Sequence, residues 1–380
     1  MKKFLAVLLA MALLLSAVGA LAEAINPNDI EDTMVSADGK YELGFVTDVG
    51  QLKDESFNQG TWNGVKAYAK EHGLSYKYYQ PANGNSATDD DRYDAMKAAC
   101  EGGAKVVVTA GFLQEAALRK AAAEFPEVSF IFIDGYPLKV ESDDPKSEPV
   151  GLKNVAPIAF KEEQSGYFAG YAVVKEGFKK LGFIGGGGGT NPACCRFGYG
   201  FVQGANAAAK EMGVTVDMKY SWQYGASFSP SAELQTMMAG WYETGTEIVF
   251  SCGGNIFDSV AAAASGADAY VVGVDVDQSY KSEYVLTSAT KGLVEATQWA
   301  IAKVYDGTFA EIGDVATSLG VENNAVGLPT ETWKLENFSV EEYNNMYAKV
   351  VSGELVVDSS LVKSDEIKNV EFSNVKVDYE

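Results

Sequence analysis

Residues 41–59 read YELGFVTDVGQLKDESFNQ, in which a short apolar run leads through a polar loop into an amphipathic stretch. The run Tyr41–Asp48 is rich in the aliphatic and aromatic residues typical of a buried strand, and the glycine that follows permits a turn. Apolar residues then recur at helical spacing and predict one buried helix face, formed by Phe57, Thr61, Val65 and Tyr68. Strand, loop and helix in this order form the unit from which parallel α/β sheets are built.

The same unit recurs along the chain in two matched sets of predicted strands. The first set is Tyr41–Asp48, Ser75–Gln80, Lys105–Ala110 and Ser129–Asp134. The second set is Lys180–Gly185, Thr215–Trp222, Glu247–Cys252 and Ala269–Asp275. The strand starts are 34, 30 and 24 residues apart in the first set and 35, 32 and 22 in the second. These spacings predict an α/β fold with two lobes, each a mostly parallel sheet flanked by helices, joined by hinge crossings.

The lobe boundaries follow from this division. We expect residues 41–158 and 286–320 in the N-terminal lobe, and residues 159–285 and 321–380 in the C-terminal lobe. Parallel sheets bind ligands at the carboxyl ends of their strands, so the site is expected in a shared crevice between the lobes. The loops expected there are 48–58, 110–115, 134–136, 185–197, 224–228, 253–258 and 275–277.

The first residues have the layout of a secretory signal peptide. Two lysines precede the apolar run Phe4–Leu15, and the small residues of Ala20–Ala22 mark a cleavage site. The apolar run is shorter than the roughly 20 residues that cross a bilayer. We therefore expect residues 1–22 to be removed and residues 23–40 to form a polar leader with little structure. No cysteine stands directly after the cut, so an exported, soluble monomer without a lipid anchor is expected.

Composition argues against several classes of protein. The formal charge of −22 disfavours binding to nucleic acid or to anionic lipid. His72 is the only histidine, and four scattered cysteines form no CxxC pair, so neither a zinc site nor a cofactor is expected. The neighbours Cys194 and Cys195 are better interpreted as buried small hydrophobic residues than as a strained disulfide.

The glycine run Gly185–Gly189 requires comparison with phosphate-binding loops. A P-loop continues into GK[ST], whereas Thr190-Asn191-Pro192 follows here, and no lysine is placed to reach a phosphate. The run is better interpreted as a tight turn that lets another group approach the backbone closely. The single histidine and the absence of G-x-S-x-G also disfavour an exported α/β hydrolase.

The loop from Asp48 to Gln59 begins with a carboxylate at the end of a strand and ends with an aromatic ring and two amides at the start of a helix. Such groups can bind the polar edge and cover the face of a planar ligand, although Phe57 could equally begin the core-facing helix stripe. The loop resembles the signature of the basic membrane protein family, from its first aspartate to its Ser-Phe-Asn-Gln end. Further blocks agree in order and spacing: Pro192–Phe201, Tyr224–Phe228, Gly273–Gln278 and Thr287–Lys291.

The resemblance covers residues 41–310 and implies a type I periplasmic-binding fold of an ABC transporter. The family includes the PnrA-like purine nucleoside receptors. The resemblance to them implies a base stacked between Phe57 and Phe228. Asp48 and Asn58 would bind the base edge, with Gly253 beside the site. The ribose would be held by Lys291 and by either Asp275 or Asp258.

Three functions therefore compete at this stage. The first is purine nucleoside binding for an ABC permease and its ATPase, with contact to the membrane only through that transporter. The second is the same fold binding a sugar or another small polar signal. The third is the hydrolase, which the sequence favours least; the chain is expected not to be an enzyme.

Overall fold

The computed structural model describes residues 26–49, 51–140 and 147–380, so the predicted signal peptide lies outside the described residues. In this part of the chain the strands are β1 Leu43–Val46, β2 Tyr76–Tyr79, β3 Val106–Ala110, β4 Ser129–Ile133, β5 Val155–Phe160, β6 Lys180–Gly185, β7 Val216–Ser221, β8 Ile248–Cys252, β9 Tyr270–Asp275, β10 Val285–Lys291, β11 Thr317–Leu319, β12 Val326–Gly327 and β13 Val375–Tyr379. The α-helices are α1 Phe57–His72, α2 Asp89–Glu101, α3 Glu115–Glu124, α4 Glu162–Glu176, α5 Pro192–Met212, α6 Ala232–Glu243, α7 Ile256–Ala267, α8 Leu293–Tyr305, α9 Val340–Ser352 and α10 Ser364–Ile367. All eight strands predicted from sequence are present, each within two residues of its expected ends.

The strands form two sheets with the same internal order. The first sheet runs β11-β5-β4-β3-β1-β2, and all its neighbouring strands are parallel. The second runs β12-β10-β9-β8-β6-β7-β13, with only β10 and β12 antiparallel among the described strands. Five strands of each sheet therefore follow one plan, β2-β1-β3-β4-β5 in the first and β7-β6-β8-β9-β10 in the second. The predicted α/β fold with two mostly parallel sheets is confirmed.

We call each sheet with the helices packed on it a lobe, and the chain crosses between the lobes three times. The crossings follow β5, β10 and β11. The predicted boundary at residue 286 is misplaced, because β10 pairs with β9 of the second lobe as far as Thr290. The first boundary is also displaced, since β5 continues to Phe160 in the first lobe. The polar residues of β10 hid this strand from pattern analysis.

The polar leader is more ordered than expected. From Asn26 onward it packs along α1, where the buried Lys66 ammonium donates to the Ile30 carbonyl at 3.0 Å and to Asp32 at 2.7 Å. Asn63 donates to the Asn28 side chain at 2.8 Å. The expectation of little structure was wrong here because these polar groups find hydrogen-bond partners on α1.

Two helices of the second lobe approach each other closely enough to exclude side chains. A Cβ on Gly166 of α4 would lie 2.2 Å from the Phe197 carbonyl oxygen of α5, and one on Gly200 would lie 2.1 Å from the Glu163 carbonyl oxygen. Glycine therefore allows this contact. It brings the first turn of α4, which carries Glu162, against the second turn of α5, which carries Arg196.

The remaining elements complete the second lobe. The C-terminal strand β13 extends its sheet beside β7, as Val375 pairs with Val216. Among the residues that the structure describes, none of the helices combines the length and the apolar character that a membrane span requires.

Candidate functional site

A cavity lies between the lobes at the carboxyl ends of the central strands. It encloses about 660 Å³ when the space open to solvent is included. Both lobes contribute at the points where their strand order reverses, which is where open α/β sheets bind ligands. Asp48 and Gly111 follow β1 and β3 of the first lobe, and Gly253 follows β8 of the second.

The wall from the first lobe is a hydrogen-bonded carboxylate–amide arrangement. Asp48 Oδ1 accepts from the Asn58 amide at 2.9 Å and from the backbone N–H of Val49 at 2.6 Å. Asp48 Oδ2 accepts no hydrogen bond from the described residues and faces Gly111, where a Cβ would lie 2.3 Å away. The glycine thus leaves this oxygen accessible from the cavity.

The side-chain amide of Asn58 forms hydrogen bonds within the protein through both its nitrogen and its oxygen. Its amide nitrogen donates to Asp48 and, at 3.0 Å, to Asp54, while its oxygen accepts from the Asp48 N–H at 3.3 Å. Both amide hydrogens are therefore in use. Asn58 lines the cavity, and in this arrangement its main effect is to orient Asp48.

Asp54 organises the turn that presents this wall. Its carboxylate accepts from the backbone N–H groups of Ser56, Asn58 and Gln59 at 2.8–3.0 Å. It therefore satisfies donors at the start of α1 that have no partner within the helix. Burial raises the pKa of Asp54 to about 6 although these hydrogen bonds oppose the shift.

The two predicted stacking rings line the cavity from opposite lobes. Phe57 is the first residue of α1, and Phe228 lies in the loop after β7. Phe228 adopts a φ of 57°, a left-handed conformation that costs a non-glycine residue energy, so the surrounding contacts hold it in place.

The glycine run leaves room for the Phe228 ring, because its residues have no side chains. A Cβ on Gly186 would lie 2.3 Å from the Phe228 ring, and one on Gly253 would lie 3.1 Å from it. The interpretation of the run as a turn that permits close approach is confirmed, and the group that approaches is this ring. Gly253 also lines the cavity.

Lys291 ends β10 at a crossing between the lobes. Its ammonium lies 2.7 Å from Asp134 Oδ2, and 3.6 Å from both Glu162 and Asp275. The side chain is only 2 % exposed. It also lies 4.8 Å from the centre of the Phe57 ring, close enough for a cation–π contact.

Excess negative charge surrounds this lysine. Burial raises the pKa of Asp134 to about 7, with help from Glu162 and Asp275 and against the attraction of Lys291. Burial alone would lower the pKa of Lys291, but the neighbouring carboxylates raise it above its ordinary value. One oxygen each of Asp134 and Glu162 is buried without a hydrogen-bond donor among the described residues. The cluster is therefore suited to accept hydrogen bonds from hydroxyl groups.

Arg196 compensates part of that charge. Its guanidinium donates to Glu162 at 2.7 Å and lies 3.7 Å from Glu163. Burial raises the pKa of Glu163 to about 7, with a further contribution from Glu162. Arg196 thus keeps a carboxylate pair in place directly behind Lys291.

Of the two aspartates considered for the ribose, the structure places only Asp275 in the cavity. Asp275 accepts from the Ser56 hydroxyl at 2.6 Å and lies beside Lys291. Asp258 does not line the cavity, and its carboxylate pairs instead with Lys281 at 3.2 Å. Its prediction as a ligand residue is therefore withdrawn, because its position in the first turn of α7 directs it to another partner.

Other residues of the site were not predicted individually. Asn85, in the loop after β2, lines the cavity and contacts Ser229 of the other lobe. The loop after the second predicted strand was the signal that could have found it. Glu162 gave no signal, since its sequence neighbourhood resembles an exposed helix start.

Cys194 and Cys195 are free and buried, as predicted. Among the described residues no group of three or more His, Cys, Asp or Glu side chains is arranged so that it could hold a metal ion.

Comparison with known proteins agrees with this geometry. The profile of the family described as ABC transporter substrate-binding protein PnrA-like matches residues 42–360. The chain belongs to this family. Its members are the binding components of ABC transporters and not enzymes, and they bind small molecules outside the cytoplasm for a transporter made of a permease and an ATPase.

Named relatives cover nearly the whole chain. The ABC transporter nucleoside-binding protein BmpA of Lactococcus lactis subsp. cremoris is 29% identical over 376 residues, 92% of this chain and 97% of the relative. Basic membrane protein A of Borreliella burgdorferi is 26% identical over 339 residues, 86% of this chain and 92% of the relative. A solute-binding protein of an ABC transporter system from Aeropyrum pernix K1 superposes with a TM-score of 0.69 at 21% identity, covering 86% of this chain and 95% of its own.

Proposed function

We propose that this substrate-binding protein takes purine nucleosides into the interlobe cavity and delivers them to its ABC permease. The observation that carries the proposal is the combination of two rings from opposite lobes with two different polar ends. One end offers the free oxygen of Asp48, and the other offers the acid–lysine cluster around Lys291. The nucleoside-binding name of the Lactococcus relative supports the same ligand class.

The base would lie between Phe57 and Phe228. Stacking of a base on an aromatic ring contributes about 1–3 kcal/mol per ring. Asp48 Oδ2 would accept hydrogen bonds from the N–H groups of a purine edge, with Asn58 holding the carboxylate in position. A purine with ring N–H donors, such as guanine or hypoxanthine, fits an acceptor of this kind.

The ribose would lie at the Lys291 end. Two vicinal hydroxyls can donate to carboxylates, while an ammonium group donates to a hydroxyl oxygen. Asp275 and Lys291 supply this pair within 3.6 Å of each other. The buried oxygen of Asp134 that lacks a donor provides a further acceptor. The same arrangement would leave buried polar groups unpaired if a free base occupied the cavity.

The first test is a ligand panel on protein that has been unfolded and refolded to remove any copurified ligand. Guanosine and inosine should raise the melting temperature, because a ligand at 100 times its Kd stabilises the folded state by about 2.7 kcal/mol. Guanine and galactose should have little effect. Stabilisation by sugars with no response to any nucleoside would replace the proposal with sugar binding.

A variant test addresses the stacking rings. Phe57→Ala and Phe228→Ala should each weaken guanosine binding by roughly ten- to a hundredfold while the protein remains folded. Trp299→Ala is the control, since this ring lies on α8 and does not line the cavity. If Phe57→Ala lowers the melting temperature but leaves affinity unchanged, the ring belongs to the core and not to the site.

A further inference from the structure

The two lobes also touch where the loop before α1 meets the loop after β9. The Glu55 carbonyl accepts from the Gln278 amide at 3.1 Å, and the Ser56 hydroxyl donates to Asp275 at 2.6 Å. Neither Glu55 nor Gln278 lines the cavity. The Glu55–Gln278 contact therefore connects the lobes beside the ligand site, whereas the Ser56–Asp275 bond reaches a residue of the site itself.

Lys281 is the charged group at this contact. Its ammonium lies 2.9 Å from Glu55 of the first lobe and 3.2 Å from Asp258 of the second. It also lies 4.7 Å from the centre of the Phe257 ring. Its side chain is 8 % exposed, whereas those of Glu55 and Asp258 are 43 % and 52 % exposed. Asp258 and Phe257 thus hold the lysine on its own lobe, from which it reaches the other.

Both sides of the contact are attached to ligand-lining residues. On the second lobe, Gln278 is fixed because its oxygen accepts from the Val274 N–H at 3.0 Å and its N–H donates to Ser288 at 3.1 Å. On the first lobe, Glu55 and Ser56 directly precede Phe57, the ring that lines the cavity. A force between Lys281 and Glu55 is therefore transmitted to the position of Phe57.

We propose that Lys281 is a positioning residue whose ion pair with Glu55 holds the lobes together and fixes Phe57 against the bound ligand. The inference rests on ligand binding between the lobes, but not on which small molecule is bound. Asp258 has the supporting role of holding Lys281, which accounts for an aspartate near the site that does not line it.

The kinetics of such a contact can be anticipated. The ion pair exists only when the lobes meet, so its loss should mainly accelerate ligand dissociation. Because both carboxylates are partly exposed, solvent and salt weaken the interaction. We expect koff to rise about three- to tenfold without the pair, and the difference from wild type to shrink at high salt.

The test measures guanosine association and dissociation by stopped flow in 50 and 500 mM NaCl. The variants are Glu55→Gln, Lys281→Met and both together, with Lys303→Met as the matched control. Lys303 forms an ion pair with Glu311 at 2.6 Å at one end of α8, away from the contact between the lobes. Each single variant should raise koff, the double variant should add little to either, and the control should match wild type.

Two results would overturn the proposal. One is a koff for Lys281→Met equal to that of Lys303→Met, and the other is full additivity of Glu55→Gln and Lys281→Met. Glu55→Gln changes a partly exposed residue, so it remains informative if Lys281→Met fails to fold. Should guanosine not bind at all, the proposed function fails separately, and small-angle scattering of the unliganded proteins decides this inference. A wild type no more compact than Glu55→Gln would then contradict it.

Discussion

One loop of eleven residues in the first lobe supplies Asp48, Phe57 and Asn58, whereas the opposite wall combines residues after several strands of the second lobe with Asp134 of the first. The first wall is held by hydrogen bonds within the loop, several of them to Asp54. The second is held by ion pairs, around Lys291, that join residues distant in sequence. The difference predicts that the two walls respond differently to mutation and to pH.

The largest effect is expected at the ion-paired wall. Lys291→Met leaves buried carboxylates without their cation, which should cost about 3–5 kcal/mol of unfolding free energy as well as ligand binding. The loss should be smaller at pH 5 than at pH 8, because protonation relieves the repulsion between the carboxylates. Urea unfolding of the variant and the wild type at both pH values measures this loss of unfolding free energy. Lys303→Met, which breaks a more exposed pair, should cost about 1 kcal/mol or less. Equal losses in the two variants would show that the lysine cluster is not a distinctive feature of this wall.

The hydrogen-bonded wall should instead appear in the pH dependence of stability. Burial raises the pKa of Asp48 to about 6 from its ordinary value of 3.8, against hydrogen bonds from Asn58 and Val49. The folded state therefore holds a proton that the unfolded state releases between these pH values. The stability from this group is complete below about pH 4 and is lost as the pH rises through 6, at no more than about 1.4 kcal/mol per pH unit.

Asp48→Asn removes this contribution, so its unfolding free energy should fall less steeply between pH 4 and 6 than that of the wild type. The control Asp378→Asn changes an exposed residue of β13 and should keep the wild-type slope. Parallel stability curves for Asp48→Asn and wild type would mean that folding does not raise the pKa of Asp48. That result would contradict the claim that burial desolvates this carboxylate.

A smaller effect is expected from filling the space that the second wall leaves for Phe228. Gly186 has an ordinary φ of −76°, so alanine is strained there only by the Phe228 ring 2.3 Å from the added Cβ. Gly186→Ala should displace the ring and weaken guanosine binding about tenfold. Gly240→Ala adds a methyl group with no atom within 4 Å and should leave affinity unchanged. An unchanged affinity for Gly186→Ala would show that Phe228 does not need this position to bind ligand.

The same difference explains what could be predicted from the sequence. The first wall is local, so its residue types alone marked the loop from Asp48 to Asn58 as a candidate site, while the roles of Asp48, Phe57 and Asn58 came from the family resemblance. Strands such as Val106–Ala110 were equally visible, because parallel strands buried on both faces are continuous apolar runs.

The second wall depends on contacts that sequence spacing does not encode. Glu162 begins a helix with charged neighbours and looks exposed, yet Lys291 and Arg196 bury it. Choosing between Asp258 and Asp275 required knowing which side chain points into the cavity, and the sequence does not give that direction. Strand Val285–Lys291 was missed because its polar residues interrupt the apolar pattern.

The central claim is that the two walls together recognise a nucleoside, one through the base and the other through the ribose. Calorimetric titration of guanosine, 2′-deoxyguanosine and guanine into wild type and Asp275→Asn tests it most directly. Loss of a hydroxyl leaves buried polar groups unpaired, which costs about 1–3 kcal/mol. Wild type should therefore bind guanosine roughly ten- to a hundredfold more tightly than the deoxynucleoside and more tightly still than guanine, and Asp275→Asn should reduce that preference. Equal affinity of wild type for guanosine and guanine would contradict the account.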